Sequence, residues 1–369
     1  MSSSTDWARS IATTIVNHLR EEEVASLRKY KVFAAIEGSG NVRTNVSGRG
    51  FDWEIQYRNQ QPSGNNGETP RSFARQNLWK RAELDFRGYQ VSDAIYRKEM
   101  LENRGTQALV AVAGKMASRL LTSMEQHLAK EVWTDGTAAG NELRYHGMES
   151  FMGATQTLHV TTGAAQTANA ADPFGAPSDT YAGLSTALGA YGGSQTSGVW
   201  PNGTADPEFD FYSPVIVNYT STYFGGSTWA ANCVKAVREA IHQTRRNDSK
   251  EDQVDMAIID RKMFIDFLNT LDAKERVIVS KANGLRSYGF TDVFELDGIE
   301  ISQEVGVTTN AGYGLSIGNV ELLCMAGQLL ESEGPFYDET SQQYRYVVST
   351  LGNLKFKSPR NFFKLVSLA

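Results

Sequence analysis

Residues 106–133 read TQALVAVAGKMASRLLTSMEQHLAKEVW, a run with no proline and a single glycine, Gly114. Leu109, Val112, Ala113, Met116, Leu120, Met124, Leu128 and Val132 recur at steps of mostly three or four residues, which is the spacing of one helical face. Lys115, Arg119, Gln126 and Lys130 occupy the opposite side. The spacing predicts one helix about 42 Å long at 1.5 Å per residue. A typical globular helix has only about 11–12 residues. Thr134-Asp-Gly136 supplies the stop, because glycine readily takes the left-handed conformation that closes a helix.

Upstream of this helix the pattern changes period. Phe51-Asp-Trp-Glu-Ile-Gln-Tyr57 alternates apolar and polar residues strictly, as a half-exposed strand does. Gln60-Gln-Pro-Ser-Gly-Asn-Asn-Gly-Glu-Thr-Pro70 is dense in turn formers and excludes regular structure. A second extended run covers Leu78–Val91, with Leu78, Lys80, Ala82, Leu84 and Phe86 on one side. Together these segments make a long two-stranded arm. Both of its faces appear charged in the sequence, so the expectation is an arm that cannot bury itself at home. From Arg58 to Arg81 the bases are Arg58, Arg71, Arg75, Lys80 and Arg81, against the single acid Glu68. A basic tip of this kind suits an acidic partner. Trp53, Phe73 and Trp79 are the expected aromatic anchors, with Arg71, Arg75 and Lys80 as charge contacts.

Residues 5–36 read as a further helix, capped by Thr5 or Asp6, with Trp7, Ile11, Ile15 and Leu19 forming an apolar stripe. That stripe needs a cover, either its own domain or another subunit. Gly38, Gly40, Gly48 and Gly50 then separate this segment from the arm. Beyond the long helix, residues 137–212 are rich in Gly, Ala, Ser and Thr and read as irregular connections with short strands, and the chain from Tyr145 to Val234 contains no lysine or arginine. Strands are expected at 213–219, 256–259, 320–325, 345–351 and 354–357. Helices are expected at 229–246 and 262–271, and a hairpin at 294–305 turning on Leu-Asp-Gly at 296–298. Helices and strands mix without regular alternation, which makes the fold class α+β.

Composition bounds the function. The 369 residues carry a formal net charge of −6, which is unlike a protein whose main task is gripping nucleic acid. The N-terminus lacks the basic start and apolar run of a signal peptide, and no stretch has the roughly 18 uncharged apolar residues of a membrane span. A soluble protein made inside the cell is the expectation. Cys233 and Cys324 stand apart and read as packed thiols. Gly314-Leu-Ser316-Ile-Gly318 matches a hydrolase elbow in letters only. That motif needs a helix after the serine and a downstream histidine, whereas a strand is expected there and the last histidine is His242. The five histidines have no metal spacing, and no phosphate loop occurs. No catalytic residue, metal or cofactor is expected.

The order of elements resembles the Hong Kong 97-type capsid fold of tailed bacteriophages. Ile95-Tyr-Arg-Lys-Glu-Met-Leu-Glu-Asn103, Trp133-Thr-Asp-Gly136 with His146-Gly-Met148, Met256–Leu271, Phe294–Ile301 and Phe356–Leu365 are similar to stretches of that family. The resemblance implies an N-terminal arm over 1–50 and an E-loop hairpin over 51–95. It implies a peripheral domain over 96–215 holding the spine helix 106–133, an axial domain over 216–328, and a return to the peripheral domain over 329–369. It also implies a major capsid protein that assembles with copies of itself, as hexamers and pentamers, into an icosahedral head around double-stranded DNA. Subunit contacts would run through Trp53, Arg71, Phe73, Arg75, Trp79 and Lys80 of the E-loop and through Trp7, Ile11, Ile15 and Leu19 of the N-arm. Portal, a separate scaffolding protein and a decoration protein are the implied partners. The implied location is the virion, with assembly in the host cytoplasm and no membrane contact. An encapsulin-like compartment of the same fold and an unrecognised soluble enzyme are the alternatives.

Some members of that family join subunits through a lysine–asparagine isopeptide bond. The arm tip 60–77 has no lysine, and Lys80 and Asn361 are only loose counterparts. The expectation is therefore a single monomer band when assembled protein is boiled and run on a denaturing gel. A covalent ladder would overturn it.

Overall fold

The computed structural model describes residues 30–60, 75–98, 106–160, 171–245, 253–272 and 293–368, together with residues 62, 64, 67, 73, 163 and 166–168. The expected N-arm anchors Trp7, Ile11, Ile15 and Leu19, and Arg71 of the arm, lie outside these residues. The first described helix, α1, is Lys31–Gly38, and it buries Val32, Phe33, Ala35 and Ile36. Strands β1 (Val42–Val46), β2 (Gly50–Gln56), β3 (Trp79–Asp85) and β4 (Arg87–Tyr96) follow. Next comes the long helix α2, Thr106–Glu131. Its buried stripe of Met116, Leu120, Met124 and Leu128 is the one the periodicity predicts.

The stretch without lysine or arginine folds into short strands: β5 (Ala154–Val160), β6 (Gln166–Ala168), β7 (Gly175–Pro177), β8 (Thr180–Tyr181), β9 (Leu184–Ser185), β10 (Gln195–Ser197) and β11 (Thr204–Ala205). Then come β12 (Val215–Asn218), α3 (Trp229–Thr244), β13 (Met256–Ile259), α4 (Arg261–Asp272), β14 (Phe294–Leu296), β15 (Ile299–Gln303), β16 (Gly312–Leu315), β17 (Val320–Met325), β18 (Glu331–Asp338), β19 (Gln343–Phe356) and β20 (Phe363–Val366). The expected hairpin turns on Asp297 and Gly298, both at positive φ (49° and 85°), a pairing that matches the twist of a two-residue hairpin.

Two larger sheets carry the body, and β2-β3, β6-β5-β7, β8-β9 and β10-β11 form smaller ones. In the first large sheet, the order is β1-β17-β19-β18, with β4 also paired to β19. Helix α2 lies against β4 and β19. The second large sheet has the order β12-β20-β16-β13-β15-β14. Helix α3 packs on β12 and β20, and α4 packs on β15. One face of the second sheet, with Met256, Ile258, Tyr313 and Leu315, joins Val348, Leu354 and Phe356 of the first sheet in one core; the other face, with Ala257 and Ile259, packs with Phe267 of α4 in a second core.

Strand partnership departs from the expected domain boundaries in two places. Strand β17, inside the range 216–328 read as axial, pairs with β1 and β19 of the first sheet. Strand β20, inside the range 329–369 read as a return to the peripheral domain, pairs with β12 and β16 of the second. Alternation marks a strand but carries no information about its long-range partner. Two expected strands, 345–351 and 354–357, are one strand of 14 residues. Gly352 between them marks a close approach and no turn, since a Cβ there would sit 2.6 Å from the Leu323 carbonyl oxygen and 2.8 Å from the Cys324 sulfur. The extended run 78–91 divides at Phe86, after which the chain leaves the arm for the first sheet.

Glu304, just past β15, turns back onto α1. Its Oε1 accepts the backbone N–H groups of Lys31 and Val32, the latter at 3.0 Å, so it occupies donors that a helix start leaves open. The residue is 7% exposed and its Oε2 has no hydrogen-bond partner among the described residues. Burial pushes its pKa up to about 7, against the opposing pull of the two backbone donors and the Lys31 charge. The folded chain thus holds this proton more tightly than the unfolded chain, whose value is the ordinary 4.5. The contribution is fully present below the unfolded value and is lost as pH rises through about 7. The melting temperature should therefore fall from about pH 5 to 8 through this residue. Glu304→Gln, which keeps the acceptor oxygen, should remove that part of the fall. Parallel melting curves for the two proteins across this range would refute the assignment.

Candidate assembly surfaces

The arm is two-faced. Its register sets Gly50 opposite Asp85 and Gln56 opposite Trp79. Directly paired residues share a side, so Phe51, Trp53, Ile55, Lys80, Ala82 and Leu84 form one face. Asp52, Glu54, Gln56, Trp79, Arg81, Glu83 and Asp85 form the other. This corrects the expectation that both faces are charged. The inner face is apolar apart from Lys80, and Phe51, Ala82 and Leu84 are buried in the chain's own first core.

The stretch 145–234, which has no lysine or arginine, is the bed on which this inner face lies. Trp53 stacks near Tyr181, donates its Nε1–H to the Lys357 carbonyl at 3.1 Å, and has the Lys355 ammonium 5.1 Å from its ring. Tyr57 is buried against Phe211. The Lys80 ammonium sits 5.1 Å from the Tyr57 ring and 5.0 Å from the Tyr191 ring, a cation–π placement that lets an amine lie on an apolar face. Arg58 grips Glu208 with two hydrogen bonds. Trp53 and Lys80, expected to reach a neighbour, are thus engaged within their own chain. Phe73 is 91% exposed, Trp79 is 51% exposed and Arg75 is exposed as well. The pairing of Gln56 with Trp79 separates Trp79 from Trp53, and that register is invisible without knowing where the hairpin turns.

The root of the arm is held rigid by charges at the end of α2. Glu131 is fully buried. It accepts hydrogen bonds from Tyr89 Oη at 2.8 Å and from Arg144 at 2.7 Å. Burial, then the Glu131 charge, pushes the Tyr89 phenol well up. A carboxylate at a helix C-terminus opposes the helix dipole, and the Arg144 guanidinium offsets it. Arg87, at the start of β4, donates to the carbonyls of Gly136, Asn141 and Arg144. Asn353 of β19 accepts from the His146 N–H and donates to the Asp85 carbonyl, both at 2.9 Å. Sequence reading singled out none of Tyr89, Arg87, Glu131, Arg144 and Asn353, since each acts through partners outside its own element.

A second, mostly buried pair ties the second sheet to the turn Met148–Ser150 after α2. Lys364 of β20 is 8% exposed and meets Glu149 at 2.6 Å, while Tyr313 of β16 donates to the other Glu149 oxygen. The serine of the elbow-like sequence, Ser316, is 1% exposed and accepts from Asn319; a short 3-10 turn and then β17 follow it. It has neither the exposure nor the following helix of a nucleophile.

No protein-family model matches the chain, and no curated protein matches it in sequence. Solved structures do. The chain in the Cyanophage A-1(L) capsid asymmetric unit aligns with a TM-score of 0.56 at 12% identity, over 95% of this chain and 96% of that one. The capsid of a native GTA particle gives 0.55 at 11% identity, over 93% and 92%. The capsid of Cyanophage P-SCSP1u gives 0.52 at 12% identity, over 94% and 91%. The likeness is one of fold and spans nearly the whole chain: this is the α+β Hong Kong 97-type capsid fold.

Removing one partner of a mostly buried pair leaves the other charge uncompensated. Lys364→Met should lower stability by about 3 kcal/mol, read as an earlier urea midpoint with an unchanged slope. An unchanged midpoint would mean that Glu149 is satisfied without the lysine.

Proposed function

We propose that the chain is a major capsid protein, which assembles as hexamers and pentamers into a closed icosahedral shell around double-stranded DNA. The observation that carries this reading is the near-complete structural overlap with capsid chains, in a molecule whose arm still projects uncovered aromatic side chains. Phe73 and Trp79 are large, exposed and adjacent to Arg75, a combination that suits an interface anchor. The N-arm stripe of Trp7, Ile11, Ile15 and Leu19 and the arginine Arg71 belong to the same proposed contacts.

In this reading the second sheet with α3 and α4 is the axial domain, the first sheet with α2 is the peripheral domain, and the arm straps a neighbour. Apolar burial at about 25 cal/mol per Å2 over several contacts gives large collective stability while each contact remains reversible. The stretch 145–234 carries six acids and no lysine or arginine, which supports weak contact with the enclosed DNA. Portal, scaffolding and decoration proteins would be separate partners, and the virion would be the location.

Electron microscopy of the purified protein tests the proposal. Closed particles, or free rings of five and six subunits, are the expected result. A homogeneous monomer at high concentration would overturn it. In the particle-forming protein, Arg71→Glu combined with Arg75→Glu should leave the circular dichroism spectrum intact and reduce particle yield.

A further inference from the structure

The outer face of the arm's root opens into a cleft of about 310 Å3. Three carboxylates line it, Glu83 and Asp85 from β3 and Glu142 from the loop after α2. The one arginine in its wall, Arg87, already donates to three backbone carbonyls. Arg49 and Arg81 approach Asp85 and Glu83 only from the exposed rim, at 3.8 and 3.7 Å, where an ion pair contributes little.

His146 lines the same cleft and is 6% exposed, yet its Nδ1 has no hydrogen-bond partner among the described residues. That atom lies 2.9 Å from where a side chain on Gly136 would begin, and Gly136 is also in the cleft wall. Burial, reinforced by the Arg87 charge, pushes the pKa of His146 down to about 3. The imidazole is therefore neutral at physiological pH and adds no positive charge to offset the acids.

A negatively charged cleft with a neutral ring in its wall suits a planar cation. A guanidinium matches it best, because it pairs with carboxylates through several donors at once and tolerates an aromatic neighbour. Arg75, at the end of the arm, is exposed and makes no ion pair among the described residues. It precedes the opposite end of β3 from this cleft. From Trp79 to Asp85 the arm runs about 20 Å at the rise of a strand, and Arg75 is four residues before Trp79. That separation suits an Arg75 from another copy better than the chain's own.

We infer that the cleft formed by Glu83, Asp85 and Glu142 receives the Arg75 guanidinium from the arm of a second copy of this chain. The inference rests on the shell reading and gives it a specific docking point, with the arm end of one subunit locked beside the arm root of the next. The same cleft-and-tip pair would then repeat around a ring of subunits, head to tail.

Two single-cysteine variants, Arg75→Cys and Glu142→Cys, are co-assembled and oxidised, and the particles are run on a non-reducing gel. The native cysteines Cys233 and Cys324 are buried, which limits background. The expected result is a dimer band that appears only in the mixture. In parallel, Glu83→Lys with Glu142→Lys should lower particle yield about tenfold or more, as a like-charge contact replaces an attractive one. Adding Arg75→Glu to that protein should restore the yield. Particles that form without the dimer band, and that tolerate the cleft variant, overturn the inference and leave the shell reading standing. Unmodified protein that forms no particle or ring overturns the shell reading and this inference with it. If the cleft variant fails to fold, the cross-link alone decides.

Discussion

Strand β19 is the element on which the rest of the molecule hangs. Its 14 residues form a continuous ladder that takes β4 along one edge and β18 followed by β17 along the other. Through β4 it holds the root of the arm, and through β17 it reaches β1. The long helix lies across its buried face. A ladder of backbone hydrogen bonds fixes register cooperatively, because a slip of one residue would turn every buried side chain outward. The arm therefore leaves the body at a determined angle, set by a strand about 250 residues away in sequence.

Around this ladder the fold places its few buried charges where separate elements must meet. Glu131 with Arg144 and Tyr89 pins the end of the long helix to the loop after it and to β4. Lys364 with Glu149 and Tyr313 pins the second sheet to the first core. Buried ion pairs are weak sources of net stability but demand a specific geometry. Under the proposed shell assembly, fixed geometry matters more than extra stability, since a small angular error would accumulate over many copies.

The stretch 145–234, free of lysine and arginine, has a definite task inside the chain. It supplies Tyr181, Tyr191, Glu208 and Phe211 as the surface under the arm. Lysine from the arm lies over these rings, so the positive charge that the stretch lacks is provided by the segment it carries. The exposed side chains of the arm begin where this bed ends.

The local elements were legible in the sequence. The 3.6-residue period of Met116, Leu120, Met124 and Leu128 determined the long helix. The strict alternation from Phe51 to Tyr57 determined an arm strand, and Asp297-Gly298 determined a hairpin turn. Each of these signals comes from neighbours within a few residues. Tertiary structure alone decided that β17 joins the first sheet and β20 the second, that 345–357 is one strand, and that Trp53 and Lys80 face home while Trp79 faces out. Those outcomes depend on hydrogen-bond register and on partners hundreds of residues away, and a period of two is the same on either face of a strand. Side-chain spacing thus fixes what an element is, whereas long-range pairing fixes where it goes and which of its residues remain free to meet another subunit.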